Sequence, residues 1–293
     1  MESVKLTEKE FATFAKIVKE RTGIHLEARK LSMLSNRLRR RLRALKLSTF
    51  AEYLHVLRDR RVCEEELPHF LSVVTTNETY FFRNEKLWDY IRDDWIPYIV
   101  EHRKQAKAIR VWSAASSTGA EAYTVAICLH EAIPDFASWR VQVIGSDISR
   151  RVLEAASEGE YDEYAVAKVP QLRRKRWFDA EGAKYRVKDE LRKMVSFKFH
   201  DLREPFPNAN FDLVFLRNVL MYFDLSMKLH VLQRVAGALA PGGHLIVGDV
   251  DPIRHTPELN TNLTLDYVGP NIYRNPKAGR AKGIASLAEA VKA

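Results

Sequence analysis

The sequence has little cysteine and no long apolar run. Cys63 and Cys128 are the only cysteines among 293 residues, and neither has the cysteine or histidine neighbours of a metal site. Two cysteines are too few for a disulfide framework, so we expect buried thiols in a reducing compartment and no bound metal. The first residues are charged and do not form the apolar core of a signal peptide. Arg217 and Asn218 interrupt the most apolar stretch, which is therefore shorter than the roughly 18 residues of a membrane span.

Acidic residues are absent between Glu27 and Glu52, where basic residues are abundant, and the whole chain carries a formal net charge of +9. Surface helices usually mix charges, because opposite signs at i and i+4 stabilise each other. A solvated helix face is one interpretation of this run, and a binding surface for an anionic partner is the other. A second basic run occupies residues 173–176. The first run contains Arg29, Lys30, Arg37, Arg39, Arg40, Arg41, Arg43 and Lys46.

Residues 1–76 are predicted to form a small all-helical domain. Thr7 and Glu10 match a capping box at the start of the first helix, and Gly23 suits the left-handed position after its end. No strand-like alternation occurs in this part of the sequence. Further helices are predicted over residues 30–45, 49–58 and 64–74.

The helix predicted over residues 30–45 has leucines at helical spacing, which indicates a seam buried in the domain core. The seam consists of Leu31, Leu34, Leu38, Leu42 and Leu45. Basic residues off this seam are expected to point into solvent. The arginines expected to do so are Arg37, Arg40, Arg41 and Arg43.

Residues 109–147 predict a strand, a turn, a helix and a second strand that ends on Asp147. The turn consists of small residues, which let a ligand approach the helix N-terminus, and a carboxylate after the next strand can accept hydrogen bonds from two ribose hydroxyls. The dinucleotide fingerprint is absent, because the turn holds a single glycine, Gly119. The pattern favours a nucleoside cofactor without a pyrophosphate, of which S-adenosylmethionine is the common example. An ordinary turn that needs small residues for packing is the alternative.

Three segments resemble, in order and spacing, the signatures of the CheR family of chemotaxis-receptor glutamate methyltransferases. They read NETYFFR at 77–83, WSAASSTGAEAYT at 112–124 and FDLVFLRNVLMYFD at 211–224. The resemblance covers nearly the whole chain and implies an α/β fold. An all-helical N-terminal domain would be followed, over residues 77–277, by a class I (Rossmann-like) methyltransferase sheet. A small inserted antiparallel β subdomain is expected at about 178–199, and residues 278–293 would be a tail or linker.

The resemblance also assigns roles to individual residues. Arg83 and Tyr222 are expected beside the acceptor as catalytic residues. Asp147 is expected on the ribose of S-adenosylmethionine and Glu121 on its methionine amino group, with S-adenosylhomocysteine as the product. The full set expected to contact the cofactor is Asn77, Thr79, Arg83, Gly119, Glu121, Asp147, Asp201, Leu202, Asn218 and Val219.

The chemistry of the predicted acceptor agrees with this assignment. A glutamate side chain is already ionised at neutral pH and needs no general base, and the sequence offers none at the expected place. Amine methyltransferases usually carry a proline-containing loop after the fourth strand, but residues 217–220 contain no proline. These features favour a carboxylate acceptor, and the resemblance implies that the reaction is methyl-ester formation on receptor glutamates in a bacterial cytoplasm.

The predicted partner is the set of glutamate-rich helices of a chemotaxis receptor, which would dock on the basic segment 29–46. The protein would meet the membrane only through those receptors. One alternative is a nucleic-acid methyltransferase, which the basic charge supports. The segment 29–46 lacks the interleaved aromatics that would favour nucleic acid. Another alternative is a cofactor-binding scaffold that has lost transfer activity.

Departures from the family signatures concern the acceptor side most. Residues 119–123 read GAEAY where the family has Gly-Glu-Glu-Pro-Tyr, and residues 248–251 read GDVD in place of Gly-His-Ser-Glu. The second change is the support for the scaffold alternative. Some family members grip a pentapeptide at the receptor C-terminus through the inserted subdomain. Residues 178–185 lack the longer glycine-bearing loop of those members, so we expect no such tether here.

Overall fold

The computed structural model describes residues 4–75, 78–249, 253, 256–261 and 263–276. The N-terminal part is all-helical, as predicted. The hydroxyl of Thr7 accepts the backbone N–H of Glu10 at 3.2 Å, and the Glu10 carboxylate accepts the N–H of Thr7 at 2.9 Å. Gly23 ends the first helix in the left-handed conformation at φ 76°. The helices are α1 Glu8–Thr22, α2 Leu31–Leu45, α3 Phe50–Arg58 and α4 Arg60–Val74.

Within the described residues, the second part contains ten strands in two sheets. The strands are β1 Ala108–Ala114, β2 Arg140–Asp147, β3 Glu160–Asp162, β4 Phe178–Glu181, β5 Lys184–Val187, β6 Val195–Phe199, β7 Phe211–Leu216, β8 Leu239–Val247, β9 Asp266–Gly269 and β10 Ile272–Arg274. Seven of them form the main sheet in the order β6-β2-β1-β7-β8-β10-β9. The first five are parallel, whereas β10 and β9 form an antiparallel hairpin at one edge. The strand order reverses direction between β1 and β7, which makes their carboxyl ends the switch point where such sheets bind ligands.

Helices cover both faces of the main sheet. All six residues of β7 are buried, as expected of a central parallel strand between two helical layers. A π-helical turn, Ile91–Trp95, joins helix Glu85–Tyr90 to helix Ile96–His102. Among the described residues, no helix has both the length and the apolar character to cross a membrane. The helices are α5 Glu85–Tyr90, α6 Ile96–His102, α7 Ala120–Ala132, α8 Arg150–Glu158, α9 Glu163–Val166, α10 Gln171–Trp177, α11 Asp189–Arg192, α12 Leu225–Gly237 and α13 Pro257–Thr261.

The inserted antiparallel sheet has different boundaries from those predicted. It consists of three strands in the order β3-β5-β4, so it begins at Glu160 and ends at Val187. The assignment of residues 195–199 to this subdomain is wrong, because β6 pairs in parallel with β2 and forms an edge of the main sheet. An edge strand is partly exposed, and its alternation therefore resembles that of a strand in a small solvated sheet.

The two parts of the chain dock against each other at a continuous interface. Ile24, just after α1, forms an antiparallel bridge with Phe223, and the backbone N–H of His25 donates to the carbonyl of Tyr222 at 2.8 Å. The guanidinium of Arg203 donates to two carbonyls at the C-terminus of α1, at 3.0 and 2.7 Å. Backbone and side-chain contacts of this kind fix the helical part over the carboxyl end of the sheet.

Candidate active site

A cleft of about 450 Å³ lies between the helical part and the carboxyl ends of the parallel strands. A recess of about 50 Å³ adjoins it and shares Ala115, Ser117 and Asn218 with it. The cleft contains six residues predicted from the sequence for this site, which are Asp147, Asp201, Leu202, Asn218, Val219 and Tyr222. The recess contains Thr79, Arg83 and Glu121. Residues from distant parts of the chain meet here because the parallel strands all end at this edge.

Asp147 ends β2 and lies in the cleft. Its Oδ1 accepts the backbone N–H of Ser149 at 2.9 Å, and its Oδ2 accepts that of Ser117 at 3.0 Å. Burial raises the pKa of Asp147, and these backbone donors oppose the rise. Each carboxylate oxygen has two lone pairs, so each retains one after the backbone bond. Asp147 therefore has acceptor capacity for two further hydroxyl groups.

The small residues of the loop after β1 serve two different purposes. Ala115 and Ser117 line the cleft with φ of 56° and 51°, a conformation that is strained for residues other than glycine. Gly119 lines neither the cleft nor the recess. A Cβ on Gly119 would lie 2.7 Å from the ring of Phe197 and 2.9 Å from the Cβ of Ala156. Packing under β6 thus requires this glycine, and its contact with a cofactor stays a prediction.

Glu121 is held in the recess by a buried ion pair that sequence reasoning missed. Its Oε1 accepts the hydroxyl of Ser113 at 2.7 Å, and its Oε2 accepts Nη1 of Arg217 at 2.9 Å. The Arg217 side chain is only 6% exposed, and its Nη2 donates to the carbonyl of Arg83 at 3.1 Å. Arg217 follows the apolar strand β7 directly. An arginine at such a buried strand end needs an anion nearby, which was the available signal.

Arg83 lies on a loop at the mouth of the recess. Its Nη1 approaches the carbonyl of Glu78 at 3.4 Å, and its guanidinium lies 5.7 Å from the ring centre of Tyr80. Within the described part of the chain, no carboxylate pairs with this guanidinium. Thr79 lines the same recess. Asn77, the first predicted cofactor residue, lies outside the described residues.

Asp249, within the segment 248–251 that differs from the family signature, helps to hold the loop that carries Arg83. Asp249 accepts Nδ2 of Asn84 at 2.7 Å and Nδ2 of Asn271 at 3.2 Å. Asn84 follows Arg83 and has a φ of 68°. Asp249 therefore ties the Arg83 loop to the turn between β9 and β10. Residues 250 and 251 lie outside the described residues.

Tyr222 lies in a short 3₁₀ turn, Leu220–Tyr222, that follows β7. Asn218 begins the connection with a φ of 58° and lines both cavities, and Val219 lines the cleft beside it. The backbone of Tyr222 is anchored on the helical part through its hydrogen bond from His25. The ring is half-buried and lines the cleft, and its role beside the acceptor stays a prediction.

Asp201 has a structural partner in addition to its place in the cleft. Its carboxylate forms a bidentate ion pair with Arg203, with a shortest distance of 2.6 Å, and Arg203 is the residue that binds the carbonyls of α1. Leu202 lines the cleft beside it. His200, also in the cleft, was not predicted. Its Nε2 is buried without a partner among the described residues, and burial lowers the pKa of its ring.

The prediction that all off-seam arginines of α2 point into solvent is wrong for two of them. Arg41 forms a bidentate ion pair with Glu66 of α4, at 2.8 and 2.6 Å, and the hydroxyl of Tyr53 donates to the same carboxylate at 2.5 Å. The carboxylate is 4% exposed. Because α4 packs against the flank of α2, the buried face of α2 is wider than the leucine seam.

Arg37 is the second exception, and it extends into the cleft. Its Nη1 donates to the carbonyls of Val74 and Thr75, at 2.5 and 3.1 Å. Burial lowers the pKa of Arg37, while the nearby Tyr222 opposes this effect. A cation from the helical part therefore reaches the same cleft as Asp147 and Tyr222. Arg40 and Arg43 are exposed, as predicted.

Two family models match the chain. The model described as "CheR methyltransferase, SAM binding domain" matches residues 77–268, and "CheR methyltransferase, all-alpha domain" matches residues 9–75. A chemotaxis protein methyltransferase 2 from Pseudomonas aeruginosa is 35% identical over 258 residues, which cover 86% of this chain and 88% of that protein. A probable chemotaxis protein methyltransferase from Rhizobium etli is 32% identical over 262 residues, covering 88% and 96%. A chemotaxis protein methyltransferase from Borreliella burgdorferi is 31% identical over 278 residues, covering 93% and 96%.

Solved structures with a partial likeness include an S-adenosylmethionine-dependent methyltransferase from Mesorhizobium loti. It is 19% identical, covers 48% of this chain and 46% of its own, and has a TM-score of 0.28. A likeness of this size carries no functional argument, and the fold rests on the strand order described above.

Proposed function

The chain belongs to the CheR methyltransferase family, and from this premise we propose that it transfers methyl groups from S-adenosylmethionine to glutamate side chains of chemotaxis receptors. The observation that carries the proposal is the cleft itself. In it, the carboxylate of Asp147 and the ring of Tyr222 lie at the end of the sheet, and Arg37 enters from the helical domain. The helical and catalytic domains thus both contribute to one site.

The proposed cofactor residues fit a nucleoside with a charged amino acid tail. Asp147 has free acceptor capacity for two ribose hydroxyls, and Glu121 offers a carboxylate for an ammonium group in the adjoining recess. Arg217 holds the Glu121 carboxylate in place. When bound, S-adenosylmethionine supplies an electrophilic methyl group on a sulfonium. Thr79, Leu202, Asn218 and Val219 complete the proposed binding site.

The proposed acceptor residues suit an anionic nucleophile. Arg83 has no carboxylate partner within the described residues, and Arg37 adds a second positive charge to the neighbouring cleft. Their guanidinium groups would orient a glutamate carboxylate, and the Tyr222 hydroxyl would donate to it. A carboxylate needs no general base, so positioning is the main catalytic contribution. Positioning of this kind is worth about 7–11 kcal/mol in well-oriented reactions.

The exposed cations of α2 and the segment before it are proposed to contact the glutamate-rich helices of the receptor. Lys30, Arg40 and Arg43 are exposed, and no acidic partner is found for them within the described residues. They continue the positive charge that Arg37 begins inside the cleft. We place this reaction in the cytoplasm, where the methylated receptor helices lie, so the enzyme would meet the membrane only through the receptors.

A methyl-transfer assay with radiolabelled S-adenosylmethionine tests the proposed function. Membranes that contain chemotaxis receptors should gain alkali-labile label in the receptor band, because glutamate methyl esters release methanol in base. Membranes from a receptor-deleted strain are the matched control and should gain none. Label that resists alkali, or label in added RNA in place of the receptor, would contradict the proposal.

A further inference from the structure

A second groove, of about 440 Å³, lies at the junction of the two domains. We call it the junction groove. It is formed by the middle of α2, the C-terminus of α4, the loop residue Thr118 and the first turns of α8. Its charged lining residues are Arg37, Arg40 and Arg151, and no acidic side chain among the described residues lines it. The remaining lining residues are Ser72, Val73, Thr75, Val152 and Ala155.

The three arginines of the junction groove differ in their surroundings, and Arg37 is the one that donates to backbone carbonyls. Arg40 and Arg151 are exposed, and neither forms an ion pair with a described carboxylate. The acids of α8, Glu154 and Glu158, are exposed on the same helix and do not line the groove. Guanidinium groups collected around one groove repel each other, and an anion placed between them would offset that repulsion.

The junction groove is continuous with the cleft, because Arg37 and Thr75 line both. An anionic chain that lies in the groove would therefore lead to the acceptor residues. We propose that the junction groove binds an acidic helical segment of the receptor, and that Arg151 of the catalytic domain and Arg40 of the helical domain hold it together. This inference rests on the proposed function and adds a catalytic-domain contact to the receptor surface.

The chemistry of the groove selects its occupant. Glutamates at i, i+3 and i+4 form a row on one face of a helix, and guanidinium groups bind carboxylates through paired hydrogen bonds. Binding to both domains at once would fix the helix with respect to Tyr222. Single-stranded nucleic acid usually binds where aromatic side chains stack on its bases, and none of the described residues that line this groove is aromatic.

The test compares Arg151→Glu with Arg150→Glu in the full chain. Arg150 precedes Arg151, and its substitution changes the charge equally, but its guanidinium lies over the ring of Phe199 at 4.6 Å and outside the groove. With a purified cytoplasmic fragment of a receptor from the same bacterium, Arg151→Glu should raise KM on the order of tenfold. Its kcat and its affinity for S-adenosylhomocysteine should match those of the wild type. Arg150→Glu should change KM by less than about twofold.

The possible outcomes distinguish a failure of the inference about the groove from a failure of the proposed function. Equal KM values for the two variants, or a loss of kcat or cofactor affinity in Arg151→Glu alone, would overturn the inference. Failure of the wild-type protein to methylate any receptor fragment would reject the proposed function and the inference together. Poly-L-glutamate should compete with the fragment more strongly than polyuridylate, and the reverse order would overturn the choice of occupant. If Arg151→Glu does not fold, Arg151→Gln should still raise KM, by a smaller factor, and an unchanged KM there would count against the groove.

Discussion

Two arginine-rich helices of this protein resemble each other in sequence and differ in what surrounds their charges. On α10, Arg173 pairs with Glu131 at 2.6 Å, Arg174 with Glu163 at 2.8 Å and Arg176 with Glu190 at 2.9 Å. On α2, the carboxylates that the structure describes pair with one arginine, Arg41, which binds Glu66. The charges of α10 fasten the inserted subdomain to α7, α9 and α11. On α2, Arg40 and Arg43 are open to solvent, whereas Arg37 and Arg39 donate to backbone carbonyls.

The difference shows that a basic run has no fixed meaning by itself. The acids that neutralise α10 come from helices up to 42 residues away in the sequence. The acids nearest to α2 in the sequence, Glu27 and Glu52, pair elsewhere, with Arg29 and with the backbone of Ser48. Only the tertiary structure separates charges that hold the fold together from charges that are available to a partner.

The largest effect on stability is expected at Arg41, the α2 arginine that pairs with a buried acid. Arg41→Ala leaves the carboxylate of Glu66 buried without its cation and should lower the free energy of unfolding by about 3–5 kcal/mol. Arg43→Ala, on the exposed face of the same helix, should change it by less than about 0.5 kcal/mol. Urea denaturation of both variants measures the difference. A similar small change in both would place Arg41 among the open charges.

Asp147 is the acidic counterpart of the open arginines, since it is a half-buried carboxylate with no cationic partner among the described residues. Asp147→Asn should weaken S-adenosylhomocysteine binding by about 10- to 100-fold, because hydrogen bonds to charged groups contribute about 1.5–3 kcal/mol each. Titration calorimetry measures the affinity. Unchanged binding would exclude Asp147 from the cofactor site.

The same variant has a predictable effect on stability. Burial raises the folded-state pKa of Asp147 above its unfolded value, so the stability that the protonated form contributes is present below the unfolded pKa and is lost as the pH rises through the folded pKa. At neutral pH the ionised side chain therefore opposes folding. Asp147→Asn without ligand should melt no lower than the wild type, and a large loss of stability would contradict the assignment of the pKa shift to burial.

Reversing two charges on the exposed face of α2 should affect receptor methylation and leave stability nearly unchanged. Arg40→Glu with Arg43→Glu should leave the melting temperature nearly unchanged, because exposed charges contribute about 0–1 kcal/mol. Receptor methylation should fall roughly tenfold or more while cofactor affinity is kept. Added salt should reduce wild-type methylation in the same direction, since exposed charges are screened over about 8 Å at physiological ionic strength. Full methylation by the double variant would leave α2 as an ordinary solvated face.

The smallest effect is expected on α10. Arg176→Ala removes a partly exposed pair with Glu190 and should lower the free energy of unfolding by at most about 1 kcal/mol. Receptor methylation and cofactor affinity should not change. A loss of receptor methylation here would show that the paired helix also serves a partner, and the contrast between the two helices would fail.

Much of the site was predictable because its residues follow strands. Asp147 ends β2, and Asn218 and Tyr222 lie in the connection after β7, so the carboxyl ends of parallel strands bring them to one edge. Arg217 and Asp249 were missed as contributors, because their partners are distant in sequence. The ion pair of Arg217 with Glu121 spans 96 residues, and the hydrogen bond of Asn84 to Asp249 spans 165. No local pattern encodes such pairs.

By itself, the sequence determined the periodic features of this protein: four N-terminal helices, a buried parallel sheet, an acid after β2 and a family signature over nearly the whole chain. These features depend on residue spacing, because the period of a helix or a strand decides which residues share a face. The tertiary structure decided which sheet residues 195–199 join and which charges are paired. In that structure, β6 belongs to the main sheet, Arg37 lines the cleft, and Arg41 forms an ion pair with the buried Glu66. Pairing and burial depend on where distant segments pack, and spacing along one segment contains no information about its neighbours.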